Sequence, residues 1–163
     1  MTWLDYAVAG VLAASVIWGA WRGLVREVIA ILGWIIAFLA ANLFAGPLGT
    51  EMPEAIPTPE LRTAAAFVAV FVGALAVTSL LALLLSKMVK AVGLGGLDRL
   101  LGALFGVARG LLIALAAALL AGLTSAPRQA WWRDSASGPA LAAAALSAKP
   151  LLPPAFAGRL RYD

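Results

Sequence analysis

An all-α integral membrane protein with four transmembrane helices is the fold class this sequence predicts, and three observations predict it. The 163 residues are 63% hydrophobic and only 12% charged, where a soluble domain is nearer half apolar and a quarter charged. Mean hydropathy is +0.98. The apolar residues gather in four runs, each near the ~20 residues that cross a bilayer as a helix. The Lys and Arg residues lie between and after those runs, so the net charge of +4 reads as membrane topology rather than a nucleic-acid face. The chain has no cysteine and no histidine. That excludes a disulfide frame, a thiol nucleophile and a thiolate metal site, and it removes the commonest general base and metal ligand. No cofactor, metal or nucleic-acid partner is expected; the lipid bilayer is.

The first run, Leu4 to Trp21, is about 27 Å long as a helix, close to the ~30 Å hydrocarbon core. A signal peptide needs positive charge ahead of its apolar stretch. Here Asp5 leads and Arg22 and Arg26 follow, so the run reads as a retained transmembrane helix with Trp3, Tyr6, Trp18 and Trp21 near the interfaces. Arg22 to Glu27 is a short polar break. The second run is Val28 to Phe44. On a wheel Arg22, Arg26, Ala30, Gly33, Ala37 and Ala40 share an arc of about 80°, with Leu24, Ile31, Leu32, Ile35 and Leu39 opposite.

Gly46 to Arg62 reads as a loop broken by Pro47, Pro53, Pro57 and Pro59, and Thr58-Pro59-Glu60 as a helix start. Thr63 to Ser86 is the third run, with Ala66, Ala69, Gly73 and Ala76 as a small-residue stripe and Lys87 and Lys90 at its end. Val92 to Leu97 is a glycine-rich turn. Leu100 to Leu123 is the fourth run, with Asp98 as N-cap. Its wheel places Asp98, Arg99, Gly102, Phe105, Gly106, Arg109 and Gly110 within about 140°, and bulky leucines on the other side. The glycine face admits a close neighbouring helix, within the chain or between chains. Arg109 lies ten residues, about 15 Å, beyond Arg99 along a helix. Either the fourth helix spans normally, or residues 93–108 form a re-entrant segment, which five glycines make feasible.

Beyond Thr124 the chain leaves the membrane. Trp131 and Trp132 suit the interface, Pro139 to Ser147 suits a short alanine-rich helix, and the last ten residues are expected to be loose. The division is a membrane domain over 1–124 and an extramembrane tail over 125–163 carrying a short interfacial helix. Trp21-Arg22-Gly23-Leu24-Val25 faintly echoes Ala108-Arg109-Gly110-Leu111-Leu112, which shared membrane composition explains. Connections one and three hold Arg22, Arg26, Lys87, Lys90 and Arg99, while the second is net acidic. The positive-inside rule then puts both termini outside the cytoplasm.

The charges Arg22, Arg26, Glu27, Asp98, Arg99 and Arg109 form the candidate site. They are a polar site for a partner or solute, or an ion-pair lock on helix packing. Arg22, Arg26 and Arg99 also lie close enough to an interface to snorkel. Gly23, Gly102, Gly106 and Gly110 are the candidate helix-packing residues, and no catalytic residue is nominated.

Asp5-Tyr6, Arg22-Gly23-Leu24-Val25-Arg26-Glu27 and Trp34 closely resemble the first two helices of the colicin V production protein family. Gly96-x-Asp98-Arg99-x-Leu101-Gly102-x-x-Phe105-Gly106-x-x-Arg109-Gly110 resembles that family's second signature, and Trp132-x-x-Ser135 its post-helix motif. The resemblance runs over about residues 3 to 135. It implies a four-helix protein of the bacterial inner membrane, linked to colicin V production and envelope integrity. Some relatives carry a protease domain after the fourth helix on the outer side, which agrees with an external C-terminus. Two functions are then expected. One is a non-enzymatic accessory protein for toxin export or envelope maintenance, acting through self-association or other membrane proteins at the charged, glycine-lined face. The alternative is a small oligomeric transporter or channel with a polar path past Arg109.

Overall fold

Four long helices carry the chain: α1 Trp3–Arg22, α2 Leu24–Thr50, α3 Pro59–Ala91 and α4 Gly95–Gly122. Each is long and apolar enough to cross a membrane. A 3-10 turn at Ala126–Arg128, a single helical turn α5 at Ala130–Arg133 and a short helix α6 at Gly138–Ser147 follow. This computed structural model describes residues 1–53, 56–151 and 153, with no strand among them. The expected looseness of the last ten residues lies outside the described residues.

The element boundaries differ from expectation where local chemistry was misjudged. The break after α1 is Gly23 alone, and Leu24 to Glu27 already form the first turn of α2. Gly23 has φ 85° and ψ 158°, a region open essentially only to glycine. Pro47 lies inside α2 rather than in a loop. It comes only three residues before the helix ends, on an exposed face, and the one intrahelical bond it removes is that to the Leu43 carbonyl. Thr58 caps α3, its Oγ1 accepting from the Leu61 N–H at 3.3 Å with Pro59 in the first turn. The turn before α4 shrinks to residues 92–94, with Gly93 at φ 83°. From Gly95 to Gly122 the helix is continuous, so of the two alternatives for residues 93–108, residues 95–108 follow the unbroken helix and residues 93 and 94 close the turn before it.

The chain divides into two compact units, one of residues 22–102, the other of residues 1–21 with the described residues from 103 onward. In the first unit α2 and α3 pair antiparallel. A Cβ on Gly33 would lie 2.7 Å from Thr78 Oγ1, and one on Gly49 would lie 3.0 Å from Thr63 Cα. The buried line on α2 is Gly33, Ala37, Ala41, Ala45 and Gly49, every fourth residue. On α3 it is Ala66, Ala82 and Ser86, with Val70, Ala74 and Thr78 half-buried between them. The predicted stripe shares only Ala66; Ala69, Gly73 and Ala76 are exposed. Beside the seam, Trp34 meets Phe71 edge-on at 5.4 Å, Phe38 meets Phe67 at 6.1 Å, and Phe67 stacks on Phe71. Such aromatic pairs each add about 0.5–1.5 kcal/mol beyond area burial.

In the second unit α1 pairs antiparallel with α4. Gly106 sits against the backbone of Ser15 and Val16, and Gly110 against Leu12 and Ser15. Further along, Leu4, Ala118, Trp132 and Ala145 form a core, flanked by Val8, Leu115, Leu119 and Leu141. Large side chains turn outward instead: Leu104, Leu111 and Leu112 are all more than half exposed, as lipid-facing positions should be.

Candidate functional site

Asp98 is the first surprise among the charged residues. It was expected to cap its own helix, but α4 starts three residues earlier, so it lies in the first turn of α4. Its Oδ1 instead accepts from the Val25 N–H at 2.9 Å, capping α2 from 73 positions away in the chain. A helix N-terminus carries unmet N–H groups and partial positive charge, which a carboxylate answers. Asp98 is 4% exposed. A Cβ on Gly23 would fall on the Asp98 carboxylate. The two glycine- and charge-bearing motifs thus meet in one joint: Gly23 makes room and Asp98 fills it.

Glu27 is also 4% exposed, and its Oε1 lies 3.6 Å from Arg22 Nη1. The Nε of Arg26 is buried and has no hydrogen-bond partner among the described residues. Arg99 is exposed and stands apart from the joint. A cleft of about 390 Å³ opens between α2 and α3, lined by Arg22, Arg26, Trp34, Thr78, Ser79 and Leu83 among others.

In the other unit, Arg109 Nη2 donates to the Ser15 carbonyl at 3.1 Å. The neighbouring Gly106 and Gly110 let α1 come close enough for that bond. The glycine ladder therefore packs within the chain at these two positions; Gly102 is buried as well. The echo between residues 21–25 and 108–112 has no structural counterpart. Gly23 breaks a helix at positive φ, whereas Gly110 lies in mid-helix.

Trp132 and Ser135 have separate structural tasks. Trp132, expected at the interface, is 5% exposed and belongs to the core. Ser135 Oγ donates to the Trp132 carbonyl at 2.6 Å and accepts from the Gly138 N–H at 2.8 Å, turning the chain from α5 into α6. Asp5 was not nominated. Its carboxylate accepts from the Ser137 N–H at 2.8 Å, the Ser137 hydroxyl at 2.6 Å, the Ala136 N–H at 3.2 Å and the Thr2 N–H at 2.9 Å. It ties the start of the chain to the turn before α6. The local hints are its place at the head of an apolar run and in the Asp5-Tyr6 pair of the family motif. Among the described residues no group of three metal-ligating side chains comes together.

Four helices fit to cross a bilayer, with carboxylates buried at their joints instead of facing lipid, define a polytopic helical membrane protein. Within that class the chain belongs to the colicin V production protein family, which it matches over residues 4–146. It is 36% identical over 135 residues to a "Colicin V production protein homolog" of Haemophilus influenzae, covering 81% of each chain. It is 33% identical over 116 residues to the "Colicin V production protein" of Escherichia coli, covering 71% of each. No solved structure matches it.

Proposed function

We propose that this chain is an inner-membrane accessory protein in the production and export of a colicin V-type peptide toxin, with a part in envelope maintenance. It acts by contact with other membrane proteins or further copies of itself, and not by catalysis. The family match over residues 4–146 carries this reading. Support for the non-enzymatic part comes from the absence of His and Cys and from the structural duties of Asp98 and Arg109. Since Gly106 and Gly110 are taken up by α1, the partner surface moves to the exposed basic set Lys87, Lys90 and Arg99. This end faces the cytoplasm under the positive-inside rule.

The test is site-specific photo-crosslinking from Val92, exposed on the turn between Lys90 and Arg99, in cells exporting such a toxin. The double reversal Lys90→Glu with Arg99→Glu is expected to remove the partner crosslink and cut export while the chain still inserts. An unchanged crosslink and unchanged export would contradict the proposal.

A further inference from the structure

We propose that the cleft between α2 and α3 binds a phosphate-bearing anion, held by the guanidinium groups of Arg22 and Arg26. The lining contains both arginines and no carboxylate. Arg22 shares its charge with Glu27 at 3.6 Å, whereas Arg26 has no ion-pair partner among the described residues and its buried Nε has no acceptor. A buried N–H left unmet is destabilising, and an oxyanion bound at the Arg26 guanidinium supplies an acceptor. Guanidinium forks match phosphate oxygens in shape and charge. Ser79 lines the opposite wall, one residue beyond the Thr78 that packs on Gly33. The Thr78 hydroxyl is already turned back onto its own helix, donating toward the Ala74 and Leu75 carbonyls.

The cleft is also graded in polarity. Both arginines sit at one end, and Trp34, two turns further along α2, lies about 12 Å away. Leu75 and Leu83 line the same wall as Ser79. An anionic lipid fits with its phosphate on the arginines and a chain along Trp34 and the leucines. A soluble phosphate compound would occupy the arginine end alone. Both carry the same recognised group, and basic pockets between transmembrane helices do take up lipid headgroups.

The experiment uses the purified full chain in detergent with two probes. Phosphatidylglycerol binding is read by native mass spectrometry and inorganic phosphate binding by titration calorimetry. At least one probe is expected to bind at about one per chain. Arg26→Gln should weaken that binding at least about tenfold, the loss of one charge-assisted contact. Leu83→Trp, which fills the cleft and leaves both arginines in place, should block it. Lipid binding without phosphate binding identifies a headgroup site, and the reverse identifies a soluble ligand. The proposal is overturned if neither probe binds, or if Leu83→Trp binds as the native chain does.

Discussion

At the residue scale, single atoms decide where helices may begin and how near they come. Gly23 occupies a backbone region closed to other residues, and the space its side chain would need is filled by Asp98. Gly23→Ala is therefore expected to destabilise the chain by at least about 1–3 kcal/mol from backbone strain alone, read as a lower melting temperature in detergent. Asp98→Ala removes the cap on α2 and should cost about 1–2 kcal/mol, whereas Asp98→Asn keeps an acceptor for the Val25 N–H and should cost less. Equal losses for the two Asp98 variants would remove the capping account. Asp5 works at the other end of the chain, where four donors converge on one carboxylate. In Asp5→Ala, amide hydrogen exchange over residues 136–147 should quicken while exchange in α2 and α3 stays unchanged.

At the element scale, the buried lines on α2 and α4 repeat every four residues. Asp98, Gly102, Gly106, Gly110, Ala114, Ala118 and Gly122 are all buried. A step of four advances about 40° past a full turn, so such a line winds round the helix instead of running along one face. This is the ridge that fits into the groove of a neighbour crossing at an angle. It also explains what could be read in advance. Over the few turns from Asp98 to Gly110 a wheel drawn at constant pitch finds the small face. On α3 the line from Ala66 to Ser86 turns through about 200°, and the wheel picks Gly73 and Ala76, which are exposed. The four apolar runs, the Thr58 cap and the charged motifs were legible because each is a local pattern. The Asp98–Val25 and Asp5–Ser137 bonds were not, because nothing near either residue in sequence marks a partner 73 or 132 positions away. The contrast between glycines is testable. Gly106→Leu should disrupt the α1–α4 pairing, since even a Cβ there meets the backbone of α1. Gly73→Ala, with nothing within 4 Å of the added atom, should be neutral or stabilising by about 0.5–1 kcal/mol. Melting temperatures of the two variants separate the cases.

At the scale of the whole molecule, lipid sets the terms. Backbone polar groups must be met internally, so the chain crosses as helices. Among the described residues two buried carboxylates are answered by protein, Asp98 by the Val25 N–H and Glu27 by Arg22. Membership of the colicin V production protein family joins that architecture to a cellular setting, and the two arginines at the α2–α3 cleft give it a place to bind a ligand. All of this depends on four crossings. Because the native chain has no cysteine, a single introduced thiol is an unambiguous label. The deciding measurement is the reaction of Thr2→Cys, Met52→Cys, Leu94→Cys and Thr124→Cys with a membrane-impermeant maleimide on spheroplasts. Four crossings with a basic cytoplasmic side predict labelling at positions 2, 52 and 124, and at 94 only after the membrane is opened. Labelling of positions 52 and 94 from the same side of an intact membrane would contradict the account.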